Sequence, residues 1–215
     1  MQKMIATGMK AHCCMTDIPY GEVNRFEEGG LRRINAGSAD DITFDLIPFL
    51  ILLDQVIENT FVVFCGYQQF STIIKFFADK GYPTRPLVYA KVNPSVMNGE
   101  HVYLNATELA VYAKKPGAPF NGHCKSNVLS FPLGGGANAI HPSQKNLRLW
   151  RDIMETISNE GDIVFDPCAG SATTAVVARF LNRRFLCCEI NEVFYHSSVA
   201  RTKQAMDQFM FTDFL

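Results

Sequence analysis

The chain has 215 residues, of which 47% are hydrophobic and 19% charged, and its 17 Phe and 7 Tyr supply enough apolar surface to order one compact domain, which excludes a disordered or fibrous chain. No window approaches the roughly 20 uncharged residues that a membrane span needs, and the opening MQKMIATGMK lacks the apolar run of a secretory leader, so a cytoplasmic protein without membrane association is expected. The formal net charge of −1 hides an uneven spread: residues 1–79 hold 6 Lys/Arg against 10 Asp/Glu, residues 152–215 hold 5 against 9, and residues 80–151 hold 9 against 2.

In chain order, short apolar runs alternate with amphipathic stretches, the pattern of a sheet layered with helices. Strands are expected at Ala11–Thr16, Thr60–Cys65, Leu87–Lys91, Glu108–Ala113, Asp162–Phe165 and Phe185–Cys188. Helices are expected at Asp41–Asn59, at Gln68–Lys80 before Gly81, at Gln144–Ser158 after Pro142, at Ser171–Asn182 after a glycine turn, and at Glu192–Met210. Two segments break the rhythm. Gly21–Asp40 is polar with three arginines, and Pro116–Ala139 is rich in Gly, Pro and Asn; loops of such length in a compact domain tend to be functional. The seven cysteines include the adjacent pairs Cys13-Cys14 and Cys187-Cys188, set in apolar runs with no C-x-x-C spacing, so they read as small buried hydrophobes and no metal site is expected. The basic block at residues 80–151 suits a phosphate backbone, or forms a solvated face.

Two motifs carry chemistry. Thr16-Asp17-Ile18-Pro19-Tyr20-Gly21 directly follows an apolar strand and so falls at its C-terminal end, where open α/β sheets bind ligands. An acid there accepts hydrogen bonds from an amino group, a proline stiffens the turn and an aromatic ring offers a stacking platform; the plainer alternative is a strand ending in an Asp-Pro turn with a half-buried Tyr. The second, Val164–Thr174 (VFDPCAGSATT), is a strand, a turn of small residues and a helix start, a shape that lets backbone approach a ligand closely. The next strand ends at Glu189, placed as in nucleotide-binding folds to bridge two ribose hydroxyls; packing at Gly170 and a surface role for Glu189 are the alternative.

Together these residues resemble the S-adenosylmethionine-dependent DNA amino-methyltransferases. Asp17-Ile18-Pro19-Tyr20 is similar to that family's Asp-Pro-Pro-Tyr catalytic segment, Phe165–Thr174 to its cofactor turn, and His141–Asn146 (HPSQKN) to the segment before that turn. Tyr89–Pro94 (YAKVNP) is similar to its W-x-K-x-N-P stretch and Thr107–Lys114 (TELAVYAK) to its E-x-x-x-x-Y-x-K strand. The catalytic segment comes first and the cofactor turn last, as in the beta group. The resemblance implies an α/β, Rossmann-like class I methyltransferase fold: a three-layer sandwich whose mostly parallel sheet has one antiparallel strand, with circularly permuted motif order, over a single domain at 1–215.

The implied reaction moves a methyl group from S-adenosylmethionine to the exocyclic amine of a base flipped out of double-stranded DNA, with no metal. An acid in first position points to adenine more than cytosine, and the cytosine amino group stays open. Asp17 and the carbonyl of Ile18 would accept the amino hydrogens, beside Pro19, while Tyr20 stacks on the base. The implied cofactor residues are Asp166, Pro167, Cys168, Ala169, Gly170, Ser171, Thr173, Asn191 and Lys145, with Glu189 at the ribose. DNA contacts are expected from Arg25, Arg32 and Arg33 in a loop at about 21–40, from Lys91, and from Lys125 in a target-recognition insertion at about 114–140; a homodimer is in keeping with similar enzymes.

Three departures stand out. Ile18 replaces the family's first proline, Ala172 replaces the last glycine of the turn and is expected to be helical, and Met1 falls inside the short helix that usually precedes the catalytic strand, as in a fragment or an internal start. The rivals are a methyltransferase acting on a protein side-chain amide, which has the opposite motif order, and a DNA-binding or regulatory relative without turnover.

Overall fold

The apolar runs form seven strands: β1 (Ala11–Asp17), β2 (Ile57–Cys65), β3 (Thr84–Lys91), β4 (Thr107–Lys114), β5 (Val128–Phe131), β6 (Ile163–Asp166) and β7 (Arg184–Cys187). The computed structural model describes residues 1–20, 44–96, 99–134 and 145–208. The helices are α1 (Gln2–Thr7), α2 (Leu46–Val56), α3 (Tyr67–Asp79), α4 (Leu147–Ile157), α5 (Thr173–Phe180) and α6 (Glu192–Gln208). Strand order is β5-β3-β4-β2-β1-β6-β7. β4 pairs antiparallel with β2 and β3, and every other pairing is parallel, so β4 alone among these strands runs against the sheet.

Alternation along the strands sends successive side chains to opposite faces and divides the core into two layers. Cys14, Phe61, Val63 and Phe165 pack with Phe49, Leu50 and Leu53 of α2 and with Ile73 and Phe77 of α3. Cys13, Met15, Val62, Phe64 and Val164 pack on the other face with Leu149, Trp150, Ile153 and Met154 of α4 and with Val177 and Ala178 of α5. The adjacent cysteines of β1 therefore serve opposite cores. Trp150 stacks on Phe64 with ring centroids 4.9 Å apart, and Phe61 lies 4.6 Å from Phe77.

The helix α2 that follows β1 and the helix α5 that follows β6 thus cover opposite faces. Leaving neighbouring parallel strands in opposite directions, the chain opens a crevice beyond their carboxyl ends, the usual ligand position in an open α/β sheet. Asn146 sets the entry into α4 by accepting hydrogen bonds from the backbone N–H of Arg148 at 2.9 Å and Leu149 at 3.2 Å.

The structure differs from the sequence expectation in two places. The helix expected at Asp41–Asn59 stops at Val56, and Ile57 enters β2 with extended backbone because it pairs with Ala11 of β1. The loop expected at Pro116–Ala139 contains β5, where Val128 pairs with Val88. Since β4 runs toward the amino ends of its neighbours, residues 115–127 lie at the sheet edge opposite Asp17, and β5 carries the chain back. No helix among the described residues is long and apolar enough to cross a membrane.

Candidate active site

β1 and β6 lie side by side and deliver both chemical motifs to the same edge of the sheet. Asp17, last in β1, pairs with Phe64, and Ile18 extends the ladder by donating its backbone N–H to the Phe64 carbonyl at 3.1 Å. A proline has no such donor. Ile18, 1% exposed, thus fixes the segment through the sheet where a proline would stiffen the turn. Gln69, in the first turn of α3, clamps the next residue. Its amide Nε2 donates to the Pro19 carbonyl at 2.8 Å while its Oε1 accepts from the Gly66 N–H at 2.9 Å.

The Asp17 carboxylate is engaged on both oxygens. The Tyr20 hydroxyl donates to Oδ1, and the Lys145 ammonium lies 3.0 Å from Oδ2. Lys145 also donates to the Tyr20 hydroxyl at 3.2 Å and contacts Glu108 Oε2, while Lys91 lies 3.0 Å from Glu108 Oε1. Burial pushes the Asp17 carboxyl above the ordinary carboxylate range and the Glu108 charge adds to it, with Lys145 opposing. Burial also works on Glu108, but Lys145 and Lys91 outweigh it and draw the group down to about 2.

At the end of β6, Asp166 organises the turn. Its Oδ1 accepts from the Thr16 hydroxyl at 2.7 Å and the Cys168 N–H at 3.1 Å, and its Oδ2 from the Thr174 hydroxyl at 2.6 Å, which in turn accepts the indole N–H of Trp150 at 2.9 Å. Burial pushes the Asp166 carboxyl up to about 6 against these three bonds. The turn is closed by Ala172 N–H to the Ala169 carbonyl at 2.7 Å and tied to β7 by Ala169 N–H to the Cys188 carbonyl at 2.9 Å. Glu189 spans it: Oε2 accepts from Gly170 N–H and Oε1 from Asn191 N–H, each at 2.8 Å.

Several expectations change. Ala172 is not helical: it caps α5 in the left-handed region at φ 56°, where a side chain is strained. Asp166 is 3% exposed with both oxygens bound, so it shapes the turn and presents no free face to a ligand. Ser171 and Thr173 are buried and turn toward Arg201 of α6, whose Nη1 donates to the Ser171 carbonyl at 2.7 Å and to both hydroxyls at 3.1 Å. Pro167, Cys168 and Gly170 are the half-exposed residues of the turn, beside the buried Ala169.

Lys145 contacts the Asp17 segment and not the turn residues with which it was grouped. Lys91, expected on DNA, has a side chain only 9% exposed and is held by Glu108. Lys125 sits at the far edge of the sheet, where Asp152 of α4 takes it at 2.8 Å and Thr156 at 2.8 Å. Arg25, Arg32, Arg33 and His141–Gln144 lie outside the described residues. Sequence reasoning missed Glu108, Gln69 and Arg201 as site residues; of these only Glu108 had a signal, as the first residue of the E-x-x-x-x-Y-x-K match.

The donor set suits a methyl-bearing sulfonium with a ribose. Asp17 and Glu189 are carboxylates at one edge of the sheet, Glu189 has lone pairs beyond its two backbone bonds, and the small residues of the turn leave its backbone approachable. The profile of a family described as DNA methylase matches residues 11–200. The type II methyltransferase M.HindIII of Haemophilus influenzae is 37% identical over 76 residues, which are 35% of this chain and 25% of that protein. DNA adenine methyltransferase YhdJ of Escherichia coli is 37% identical over 116 residues, 48% of this chain and 38% of that protein, so the match spans well under half of each relative's length. The crystal structure of the M1.HpyAVI–SAM complex superposes with a TM-score of 0.70 at 23% identity, covering 93% of both chains, which shows the shared fold.

Proposed function

We propose that this chain, which belongs to the DNA methylase family, transfers a methyl group from S-adenosylmethionine to the exocyclic amino group of adenine in double-stranded DNA. The observation that carries the proposal is the bond between Thr16 and Asp166 at 2.7 Å, which couples the Asp17 segment to the glycine turn and so holds an amine acceptor beside a cofactor cradle. The similarity to YhdJ, a DNA adenine methyltransferase, supports the target base.

S-adenosylmethionine supplies an electrophilic methyl group when bound. Pro167, Cys168, Ala169 and Gly170 would hold it against the turn, Glu189 and Asn191 would take its ribose, and Asp166, Ser171 and Thr173 keep the turn in shape. Asp17 and the Ile18 carbonyl accept the two amino hydrogens and turn the nitrogen lone pair outward. Tyr20 stacks on the base, which must leave the duplex at a cost of about a few kcal/mol. The nitrogen gains a methyl group and gives up one proton, which Asp17 accepts and passes to water. Positioning accounts for most of the acceleration, because the reaction needs only in-line approach and an amine held with its lone pair free.

Raised by burial, the Asp17 carboxyl must still ionise to accept, so turnover is expected to fall on the acid side at a pH above the ordinary carboxylate range. Asp17→Ala lowers methyl transfer by about 10²–10⁴-fold while cofactor binding, measured by calorimetry, stays within about twofold. Retained turnover in that variant overturns the assignment of Asp17. The arginines of the 21–40 loop belong to the same proposal as contacts to the DNA backbone, and their neutralisation is expected to flatten the salt dependence of DNA binding. The whole chain acting as one domain, alone or paired as a homodimer, completes the proposal and is read directly from the mass of the active species in solution.

A further inference from the structure

Four short matches that are far apart in the chain meet in one string of charge. Lys91 ends β3, Glu108 lies near the start of β4, Lys145 directly precedes the cap of α4, and Asp17 ends β1. Their side chains are 9%, 17%, 8% and 20% exposed. Contact runs from Lys91 to Glu108 at 3.0 Å, from Glu108 to Lys145, and from Lys145 to Asp17 at 3.0 Å. The Lys145 ammonium also lies 5.3 Å from the centroid of the Phe64 ring and 5.4 Å from that of Tyr20. A lysine this buried is worth its desolvation only where anions surround it.

The arrangement creates a conflict for the proposed reaction. Oδ1 of Asp17 already accepts from Tyr20 and Oδ2 faces Lys145, so an incoming amine must share an oxygen with one of them. Positive charge also builds on the amine as it is methylated, and a fixed ammonium on the same carboxylate opposes it. Glu108 resolves both difficulties, because it already touches Lys145 through Oε2 and is itself held by Lys91 through Oε1. We propose that Glu108, anchored by Lys91, is a positioning residue that draws the Lys145 ammonium off Asp17 when the target amine arrives. Lys145 thereby keeps Asp17 ionised between turnovers and releases its oxygen to the amine during transfer. This rests on the proposed transferase activity.

Among the described residues, the groups facing Asp17 are Tyr20 from its own segment, Lys145 ahead of α4, Glu108 from β4, and Asp166 and Cys168 from the turn after β6. Of these, Lys145 is the cation and Glu108 the anion whose removal acts most directly on Asp17.

The test has two arms. Carbon-13 NMR follows the Asp17 carboxyl, assigned with Asp17→Asn, in protein without cofactor or DNA. Lys145→Met is expected to raise its midpoint by about 1 unit or more and Glu108→Gln to lower it by a comparable amount, since the ammonium then belongs to Asp17 alone. Midpoints unmoved in both variants overturn the proposal. Lys145→Gln takes the place of Lys145→Met should the latter fail to fold, and thermal melts report folding for each. In the second arm Glu108→Gln lowers kcat by about tenfold or more, with the KM for S-adenosylmethionine unchanged, and adding Lys145→Met restores part of the loss, because the captive ammonium is gone. A double variant slower than either single one marks a merely structural pair and overturns the proposal. Wild-type protein that transfers no methyl group overturns the transferase reading and the draw-off together, whereas the NMR shifts alone still decide whether Glu108 and Lys145 compete for Asp17.

Discussion

Thr174→Val perturbs the hub beneath the cofactor turn while keeping the side-chain shape. The Thr174 hydroxyl donates to Asp166 Oδ2 at 2.6 Å and accepts the Trp150 indole N–H at 2.9 Å, and Trp150 and Asp166 are 1% and 3% exposed. Valine leaves that N–H and that carboxylate oxygen buried without partners. Each unpaired group costs about 1–3 kcal/mol, so the variant loses about 2–6 kcal/mol, or about 4–24 °C in Tm for a chain of this size. The loss also depends on pH. Burial raises the folded-state value of Asp166 to about 6, above the roughly 3.9 of an unfolded Asp, so the folded protein holds the proton more tightly and stability falls as pH climbs between those values. That cost is about 3 kcal/mol once Asp166 is ionised. Removing the Thr174 bond raises the folded value further, so the destabilisation by valine is larger at pH 8 than at pH 5. Urea denaturation of both proteins at the two pH values measures it. A loss under about 1 kcal/mol at pH 8, or a larger loss at pH 5, refutes the place given to Thr174 and Asp166.

Ala172→Gly removes a methyl group from a left-handed position at φ 56°; relief of about 1–2 kcal/mol outweighs the added freedom of the unfolded chain, and a net gain of about 0.5–1 kcal/mol is expected in a thermal melt. A lower Tm contradicts it. Arg201→Met removes three hydrogen bonds from the turn and weakens S-adenosylmethionine binding by about tenfold in calorimetry, whereas unchanged affinity shows that Arg201 does not shape the site. Lys125→Ala leaves DNA affinity within about twofold, because its charge is already spent on Asp152 at the far edge of the sheet. A tenfold loss in a gel-shift titration places DNA on that edge after all.

The sheet was legible from the sequence because its strands are apolar runs of the right length, and both chemical motifs were legible because each sits where a strand stops. What escaped is physical in origin. Val56 and Ile57 follow each other without a breaking residue, so no local signal marks where α2 ends and β2 begins; pairing of Ile57 with Ala11 decides it. β5 is four residues in a Gly- and Pro-rich stretch and forms because β3 offers an edge. Composition counts charges but not their partners: Lys91, Lys125 and Lys145 add to a basic block in the sequence, yet in the structure each is neutralised by a carboxylate from another element. Ala172 misled for a different reason, since alanine is a good helix former and only the turn's own hydrogen bonds force it into left-handed geometry.

The most direct measurement incubates the full chain with S-adenosylmethionine and unmethylated double-stranded DNA, digests the product to nucleosides and quantifies methylated bases by mass spectrometry. The account predicts N6-methyladenine that disappears in Asp17→Ala. N4-methylcytosine contradicts the target base while keeping the amine chemistry, and unmethylated DNA from a folded protein that binds S-adenosylmethionine contradicts the transferase itself.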